Sequence, residues 1–358
     1  MLNKELERRG VPMPQAATKE DWEAMRPEVK EMLLKGEFGY FFPKPDKVTY
    51  TDVTTWAEEE VFMGGNHDKY TIEVSVEYEG RKGSFPFNIA VPHVGRPCPT
   101  FVAINFEGGL LYKYQPTEEI LDNGFAIAYF CYNDVTQDNG DFNDKLAYVL
   151  YGGREREAAE AGKISIWSWA AQLVMDYLQT CDFVDKKNIA VIGHSRLGKT
   201  ALLTGAFDER FAFVISNDSG CSGAAISRDK GGERIDAILT RFPYWFCKNY
   251  AKYAGKEEDL PFDQNWLLSL VAPRKLLVAS ASGDKWADPD SEYLGAYAAS
   301  KTWNLYGGRG FAGVNRLPLP GEDFYNGDVT YHQRDGKHFL SRYDWARYMA
   351  YIKANLNK

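Results

Sequence analysis

The sequence predicts an α/β fold with a mainly parallel central sheet flanked by helices, and two observations support this prediction. Across about residues 100–357, short apolar runs alternate with helical segments, which is typical of βαβ units and of parallel strands in one sheet. Between Asn188 and Leu202, an apolar run rich in β-branched residues passes through a glycine directly into a segment of small residues. This pattern indicates a strand, a sharp turn and a helix. We expect residues 1–358 to form a single domain.

The first part of the chain, residues 1–45, is charged and is expected to form a helical lead-in. A helix is expected to begin at Pro27 and to run to Leu34, since proline is favoured in the first turn of a helix. The three aromatic residues 40–42 are expected to pack this helix onto the body of the protein.

The elements of the predicted sheet follow from apolar runs and amphipathic periodicity. Strands are predicted at 71–78, 85–91, 100–106, 124–132, 188–192, 211–216, 274–281 and 328–332. Helices are predicted at 164–178, 199–205, 292–299 and 343–356. The first two strands are expected to pair as a hairpin with a turn at residues 80–83.

An insertion, residues 221–272, follows the predicted strand at 211–216 and has no clear sheet character. It contains the aromatic run Arg-Phe-Pro-Tyr-Trp-Phe at residues 241–246, which suits a lid or a platform for a sugar ring. Packing inside the insertion would explain each of these rings equally well.

Composition and charge argue against several classes of protein. The 358 residues carry a formal net charge of −8 without a long run of Lys and Arg, so nucleic-acid binding is not expected. No apolar stretch approaches the roughly 18 residues of a membrane-spanning helix, so no membrane partner is expected. Residues 1–15 lack the apolar centre of a secretion signal, and a cytoplasmic location is expected unless a leader has been removed.

Five cysteines and five histidines are scattered along the chain. The cysteines are odd in number and form no C-x-x-C pair, which favours reduced thiols over disulfides or a zinc site. The histidines lack the H-E-x-x-H spacing of a metal site. We expect neither a metal nor a cofactor, and the oligomeric state is left open.

Ser195 is the main candidate for a nucleophile. From Gly193 to Gly198 the sequence reads Gly-His-Ser-Arg-Leu-Gly, which places this serine at the bend between the predicted strand and helix. The nucleophile elbow of α/β-hydrolases is commonly G-x-S-x-G, so the second glycine comes one residue late here. Taken alone, a strand-to-helix turn with a capping serine would give the same pattern. With the elbow, the prediction becomes an α/β-hydrolase fold with an insertion after the strand at 211–216.

A serine nucleophile requires a base, and in this fold the base follows the serine in the chain. Two histidines do so. His338 lies in a loop after the last predicted strand and is the candidate base, whereas His332 ends that strand and is expected to be structural. The loop at residues 105–109, which ends in two glycines, is expected to supply a second oxyanion donor.

Three aspartates compete to orient the base. Asp284 follows a buried strand, where the acid of this fold commonly lies, and is the first candidate. Asp218 follows the preceding strand and is the main rival or a second support. Asp288 precedes Pro289 and is expected to cap the next helix.

These segments resemble the glucuronoyl esterases, carbohydrate esterase family 15. Residues 193–199, Gly-His-Ser-Arg-Leu-Gly-Lys, are similar to the G-x-S-R-x-G-K elbow of that family, whose second glycine is also displaced. Residues 218–221 resemble its acid-Ser-Gly segment, and residues 283–289 resemble the W-A-D-P segment of bacterial members. Gly232-Glu233 also fits, as does Gly336-Lys337-His338, although the lysine replaces a usual glycine.

The resemblance covers about residues 100–350 and implies a serine esterase that acts on small carbohydrate esters of glucuronic acid. It implies that Arg196 supports the oxyanion with its backbone N–H and its guanidinium. Lys199, Glu233 and Trp286 would contact the sugar. Taken singly, these four side chains could also be surface charges or a packing tryptophan.

Two alternative functions are kept open. One is an acetylxylan-type carbohydrate deacetylase, which would share the nucleophile but not the uronate contacts. The other is a non-catalytic carbohydrate-binding protein on a hydrolase fold, in which the serine would not be activated.

Overall fold

The computed structural model describes residues 1–54, 65–109, 112–311 and 315–356. The strands within these ranges are β1 (Lys47–Asp52), β2 (His67–Tyr78), β3 (Arg81–Pro92), β4 (Cys98–Asn105), β5 (Ala126–Cys131), β6 (Val184–His194), β7 (Phe213–Asn217), β8 (Lys275–Ala281), β9 (Asp323–Phe324) and β10 (Val329–Arg334).

The helices in the described ranges flank these strands. They are α1 (Leu2–Arg8), α2 (Lys19–Leu33), α3 (Thr117–Asp122), α4 (Tyr132–Val135), α5 (Lys145–Tyr151), α6 (Lys163–Leu178), α7 (Arg196–Phe207), α8 (Ile235–Arg241), α9 (Gln264–Ser269), α10 (Pro289–Ala299), α11 (Lys301–Leu305) and α12 (Arg342–Asn355). None of them has the length and apolar character needed to cross a bilayer.

The described strands form one mixed sheet in the order β1-β2-β3-β5-β4-β6-β7-β8-β10-β9. The strands from β5 to β10 in this order pair in parallel, whereas β1, β2, β3 and β9 pair antiparallel to their neighbours. This mainly parallel sheet confirms the predicted fold class.

Apolar side chains cover both faces of the parallel strands. Successive residues of β4 alternate between two buried clusters, with Phe101 on one face and Val102 on the other. Parallel strands end at the same edge of the sheet, so the segments after β6, β7, β8 and β10 meet there. Ligand sites in such sheets commonly lie at this edge.

The helical lead-in is present, but its main helix does not begin at Pro27. Helix α2 begins after Thr18, whose side chain accepts a hydrogen bond from Asp21 N while the Asp21 carboxylate accepts one from Thr18 N. This capping box fixes the start of the helix, and Pro27 lies inside it. Of the three aromatic residues 40–42, Phe41 and Phe42 pack onto the body, with ring centroids 5.2 Å and 5.8 Å from those of Phe207 and Trp169, whereas Tyr40 is exposed.

Other elements also differ from the prediction in their bounds; β6, for example, begins at Val184 and α7 at Arg196. The hairpin of β2 and β3 is confirmed, but its turn lies at Glu79 and Gly80, which both have positive φ, and Gly83 belongs to β3. His332 lies inside β10 and does not end it. Residues 221–272 contain helices and 3₁₀ turns but no strand, as expected.

A buried carboxyl lies in the π-helical turn Leu34–Phe38, which continues α2. Glu37 is 0% exposed, and both of its carboxyl oxygens accept hydrogen bonds from Gln264 Nε2, at 3.2 Å and 3.0 Å. Burial raises the pKa of Glu37 to about 8, although these hydrogen bonds act in the opposite direction. The carboxyl therefore holds its proton through a pH range in which an unfolded chain would lose it.

Glu37→Gln is expected to flatten the pH dependence of stability. Between about pH 4.5 and 8 the folded protein binds more protons at this site than the unfolded chain, so the free energy of unfolding falls as pH rises. The neutral amide does not titrate, so this fall in the free energy of unfolding is removed. At pH 9 the variant should be more stable than the wild type by up to a few kcal/mol. Urea unfolding at pH 6 and pH 9 measures the effect, with exposed Glu28→Gln as the control. Identical pH slopes for Glu37→Gln and the wild type would contradict the prediction.

Candidate active site

Ser195 occupies a sharp bend between β6, which ends at His194, and α7, which begins at Arg196. Its backbone has φ +60° and ψ −128°, a combination that is strained for a residue with a side chain. Ser195 N donates to Asn217 O at the end of β7, at 2.9 Å. The bend leaves the first backbone N–H groups of α7 without acceptors inside the helix.

The two glycines of the elbow are explained by close backbone contacts. A Cβ at Gly193 would lie 2.0 Å from Leu197 O. A Cβ at Gly198 would lie 3.0 Å from Ser219 Cβ and 3.1 Å from Asn217 O. A side chain at 198 would press on the segment after β7, which favours glycine at this position. Residue 197 is a leucine that is fully buried in the core.

All eight candidate residues predicted from the sequence line a single cavity of about 350 Å³ at the carboxyl edge of the sheet. They are Ser195, Arg196, Lys199, Asp218, Glu233, Asp284, Trp286 and His338. The insertion contributes Arg241, Phe242 and Trp245 to the same lining.

His338 and Asp284 form a close pair. His338 Nδ1 lies 2.5 Å from Asp284 Oδ2, and the second carboxylate oxygen accepts a hydrogen bond from Ala287 N at 3.2 Å. Burial acts to raise the pKa of Asp284, but the hydrogen bond and charge of His338 outweigh it and the pKa is lowered. The ionised carboxylate can fix the orientation of the imidazole and leave Nε2 for proton transfer.

Asp218 has different partners. Its side chain accepts hydrogen bonds from Ala281 N at 2.7 Å and from Phe339 N at 3.4 Å, and it lies 3.4 Å from Arg334 Nη2. These contacts join β7 to β8 and to the loop that carries His338. Asp218 thus supports the segments around the histidine.

The two aspartates and His338 lie close together, because one oxygen of each carboxylate and one ring nitrogen are all within 4.8 Å of one another. Among the described residues, this group has the composition and spacing that could hold a metal ion. All three side chains take part in the hydrogen bonds given above, and we assign no metal here. Burial, followed by the charges of Glu292 and Asp284, raises the pKa of Asp218 well above its usual value.

The guanidinium of Arg196 forms an ion pair with Asp138 and lies 4.7 Å from the centroid of the Trp245 ring. The Asp138 carboxylate also accepts hydrogen bonds from Trp245 Nε1 at 2.6 Å and from Tyr132 OH at 3.0 Å. We call the contacts of Asp138 with Arg196, Trp245 and Tyr132 the Asp138 junction. Asp138 was not predicted from the sequence, and its place in the acidic, turn-rich segment 133–144 was the available signal.

The segment that carries Asp138 is itself held by a buried cation. Lys163, at the start of α6, is 0% exposed. Its ammonium donates to Thr136 Oγ1 at 2.6 Å and to Asp141 O at 2.5 Å, and it pairs with Asp144 at 3.1 Å. The position of Asp138 therefore depends on the core.

Lys199, Glu233 and Trp286 are linked in a row along one side of the cavity. Lys199 Nζ lies 3.2 Å from Glu233 Oε2, and Glu233 Oε1 accepts a hydrogen bond from Trp286 Nε1 at 3.2 Å. Lys199 is 3% exposed and also donates to two backbone carbonyls, so it is not a solvated surface charge. Trp286 is 46% exposed, and the Arg241 guanidinium lies 5.3 Å from its ring.

The rings of the aromatic run at 241–246 have two kinds of surroundings. Phe242 and Trp245 stack with centroids 4.0 Å apart and line the cavity. Phe246 is instead fully buried, 6.0 Å from the ring of Phe38 and 4.9 Å from that of Tyr250. Phe242 and Trp245 thus lie at the cavity, whereas Phe246 packs in the core, and the use of the run as a lid or sugar platform stays a prediction.

The loop at residues 105–109 lies beside the elbow but does not line the cavity. The Phe106 ring lies 5.8 Å from the Arg196 guanidinium and 6.4 Å from the His194 ring. The second oxyanion donor from this loop stays a prediction.

His194, which the sequence analysis did not select, packs against the candidate base. Its ring centroid lies 4.4 Å from that of His338, and Nδ1 lies 2.7 Å from Asn217 Oδ1. Burial, followed by the charge of His338, lowers the pKa of His194 to about 3. A neutral imidazole therefore flanks the candidate base. The sequence signal that could have identified His194 was its position directly before Ser195.

Two residues set aside as structural have the expected surroundings. His332 is 0% exposed, with Nε2 2.7 Å from Asp344 Oδ1. Asp288 caps α10 by accepting a hydrogen bond from Ser291 N. Neither side chain lines the cavity.

Comparison with known proteins agrees with the family that the sequence resembles. Residues 74–307, well over half of the chain, match the family model described as glucuronyl esterase of fungi. Carbohydrate esterase MZ0003, from an unknown prokaryotic organism, is 40% identical over 236 residues, which are 65% of this chain and 54% of that protein. The chain thus spans little more than half the length of this curated relative.

Two solved structures show the likeness in three dimensions. A glucuronoyl esterase from Solibacter usitatus superposes with a TM-score of 0.86 at 32% identity, covering 97% of this chain and 98% of its own. A serine-to-alanine mutant of the Sporotrichum thermophile enzyme, in complex with methyl 4-O-methyl-β-D-glucopyranuronate, gives 0.65 at 25% identity, covering 81% and 74%. The protein described here therefore belongs to the glucuronoyl esterase family, carbohydrate esterase family 15.

Proposed function

We propose that the protein is a serine esterase that hydrolyses esters of glucuronic acid. The observation that carries this proposal is a single cavity in which Ser195 and the His338–Asp284 pair share the lining with the Lys199–Glu233–Trp286 row. The first group supplies acyl-transfer chemistry. The second supplies charged and aromatic groups of the kind that bind a sugar.

In the proposed reaction, His338 removes the proton of Ser195 Oγ as this oxygen attacks the ester carbonyl. Asp284 stabilises the imidazolium, and the oxyanion forms beside the backbone N–H and the guanidinium of Arg196. The alcohol leaves with the proton from His338. Water activated by the same histidine then hydrolyses the acyl-enzyme and releases glucuronate.

The uronate ring is placed against Lys199, Glu233 and Trp286. The ammonium and carboxylate suit ring oxygen and hydroxyl groups, and the half-exposed indole can donate its N–H or cover an apolar face of the sugar. The structure of the Sporotrichum thermophile relative, which holds a methyl ester of 4-O-methylglucuronate, supports this choice of substrate. The predicted cytoplasmic location stays a prediction.

Lys199→Ala is expected to lower kcat/KM for benzyl glucuronate by about 10- to 100-fold, since hydrogen bonds to charged groups contribute about 1.5–3 kcal/mol. Hydrolysis of p-nitrophenyl acetate, which has no sugar, should change much less. We expect the same direction for Arg196→Ala.

Parallel assays of both esters measure this difference, with the exposed Lys187→Ala as a control for removal of a lysine. Thermal unfolding of each variant checks that it is folded. Equal losses on both esters would contradict the uronate assignment and favour the acetylxylan-type deacetylase.

A further inference from the structure

We propose that Arg334 is a positioning residue that holds the loop carrying His338 against Asp284. The proposal rests on the proposed function, in which His338 is the base. Arg334 is the last residue of β10 and is 8% exposed. It does not line the cavity, so any effect on the reaction must pass through other residues.

The guanidinium of Arg334 closes the loop around His338. Its Nη2 donates to the carbonyl oxygen of Lys337 at 2.7 Å and to that of Phe339. These two residues flank the histidine on either side. A single planar group therefore fixes the backbone immediately before and after the candidate base.

The loop is shaped to admit this side chain. Gly336 has φ +124°, and a Cβ at this position would lie 2.8 Å from Arg334 Nη1. A side chain here would be strained and would press on the guanidinium. The turn thus favours glycine at 336, and a larger residue would also displace the arginine inside the turn.

Two buried aspartates hold the guanidinium in turn. Asp344, at the start of α12, accepts a hydrogen bond from Arg334 Nε at 3.0 Å, and Asp218 lies 3.4 Å from Nη2. Both aspartates are at most 1% exposed. The fork of an arginine can serve both aspartates and several loop carbonyls, whereas a lysine offers one compact charge.

The loop is also tied to the turn that carries Asp284. Gly283 N donates to Gly336 O at 2.7 Å, and Ser282 N donates to Arg334 O at 2.9 Å. Movement of the loop relative to this turn would lengthen the 2.5 Å contact between His338 Nδ1 and Asp284 Oδ2. Arg334 therefore acts on the geometry of the pair that transfers the proton.

Arg334→Lys tests this role, because it keeps the charge and removes the fork. We expect kcat for p-nitrophenyl acetate to fall by on the order of 100-fold, as for a base displaced by about 1 Å, with KM little changed. The low-field proton resonance of His338 Nδ1–H, identified by its loss in Asp284→Asn, should broaden or disappear. Arg334→Gln, whose amide can still donate to one carbonyl, replaces the lysine variant if that variant does not fold.

Arg228→Lys is the matched control. Arg228 is 7% exposed, pairs with Asp263 at 3.1 Å and donates to the carbonyl of Phe262 at 2.9 Å, but it does not line the cavity. The Arg228→Lys variant should be less stable than the wild type, but its kcat for p-nitrophenyl acetate and its His338 Nδ1–H resonance should not change. Wild-type kcat in Arg334→Lys, or equal losses of kcat in both variants, would overturn the proposal.

The use of a simple acetate ester separates this test from that of the proposed function. If the wild type hydrolyses the acetate but not a glucuronate ester, the substrate assignment fails and the positioning test still stands. If the wild type hydrolyses neither ester, the proposed function fails. An unchanged resonance in Arg334→Lys would then overturn the positioning role by itself.

Discussion

Ser195→Ala is expected to lower kcat for hydrolysis of benzyl glucuronate by on the order of 10⁴- to 10⁶-fold, because removal of a serine nucleophile leaves only binding and oxyanion contributions. The serine lies at a strained bend with φ +60°, beside the first N–H groups of α7. No alternative nucleophile is expected to occupy this position. Release of benzyl alcohol measures the loss.

Ser219→Ala is the control for this substitution. Ser219 is the other serine that lines the cavity, but its hydroxyl donates to the buried Glu292 and accepts from Ala224 N. The loss of kcat in Ser219→Ala should be far smaller than in Ser195→Ala. A fluorophosphonate probe should label the wild type at Ser195 and should not label Ser195→Ala. Undiminished activity of Ser195→Ala would refute the mechanism, and an unlabelled, inactive wild type would favour the non-catalytic carbohydrate-binding alternative.

Asp284→Asn is expected to be the second most damaging change, with a loss of kcat on the order of 10³- to 10⁴-fold, as when the acid of a Ser-His-Asp triad is neutralised. Asp284 is the carboxylate that lies 2.5 Å from His338 Nδ1. An amide there no longer stabilises the imidazolium and can impose the wrong tautomer. Steady-state kinetics with one ester across pH 5–9 measure the effect.

Asp218→Asn provides the comparison, because the two aspartates lie in the same group around His338. Its carboxylate contacts Ala281 N, Phe339 N and Arg334, so we expect a smaller loss that acts through the loop. The opposite ranking of the two variants would make Asp218 the acid of the triad.

The site residues could be predicted from the sequence where the signal lies within one short segment. Residues 193–199 predict the elbow, chain order leaves His332 and His338 as possible bases, and the position of His338 in the loop after the last strand selects it. The strand at 274–281 coincides with β8 to within one residue, so its following Asp284 could be placed at the correct edge of the sheet. These inferences need no knowledge of distant contacts.

Other features depend on contacts between distant segments. Asp138 precedes Arg196 by 58 positions and Trp245 by 107, and its own sequence surroundings indicate only an acidic turn. The role of Arg334 was also hidden from the sequence, since its partners are two aspartates and three loop carbonyls that the fold brings together. The start of α2 is different, because the capping box of Thr18 and Asp21 was a local signal that outweighs the preference of Pro27 for a first turn.

The Asp138 junction affects the entropy of ligand binding. Three segments, including a side chain of the insertion at 221–272, meet on this one carboxylate, and the buried ammonium of Lys163 holds its loop. The conformational freedom of these side chains is lost when the chain folds and need not be lost again when an ester enters. Discrimination between substrates at this side of the cavity then depends on how well their shape matches an already ordered surface.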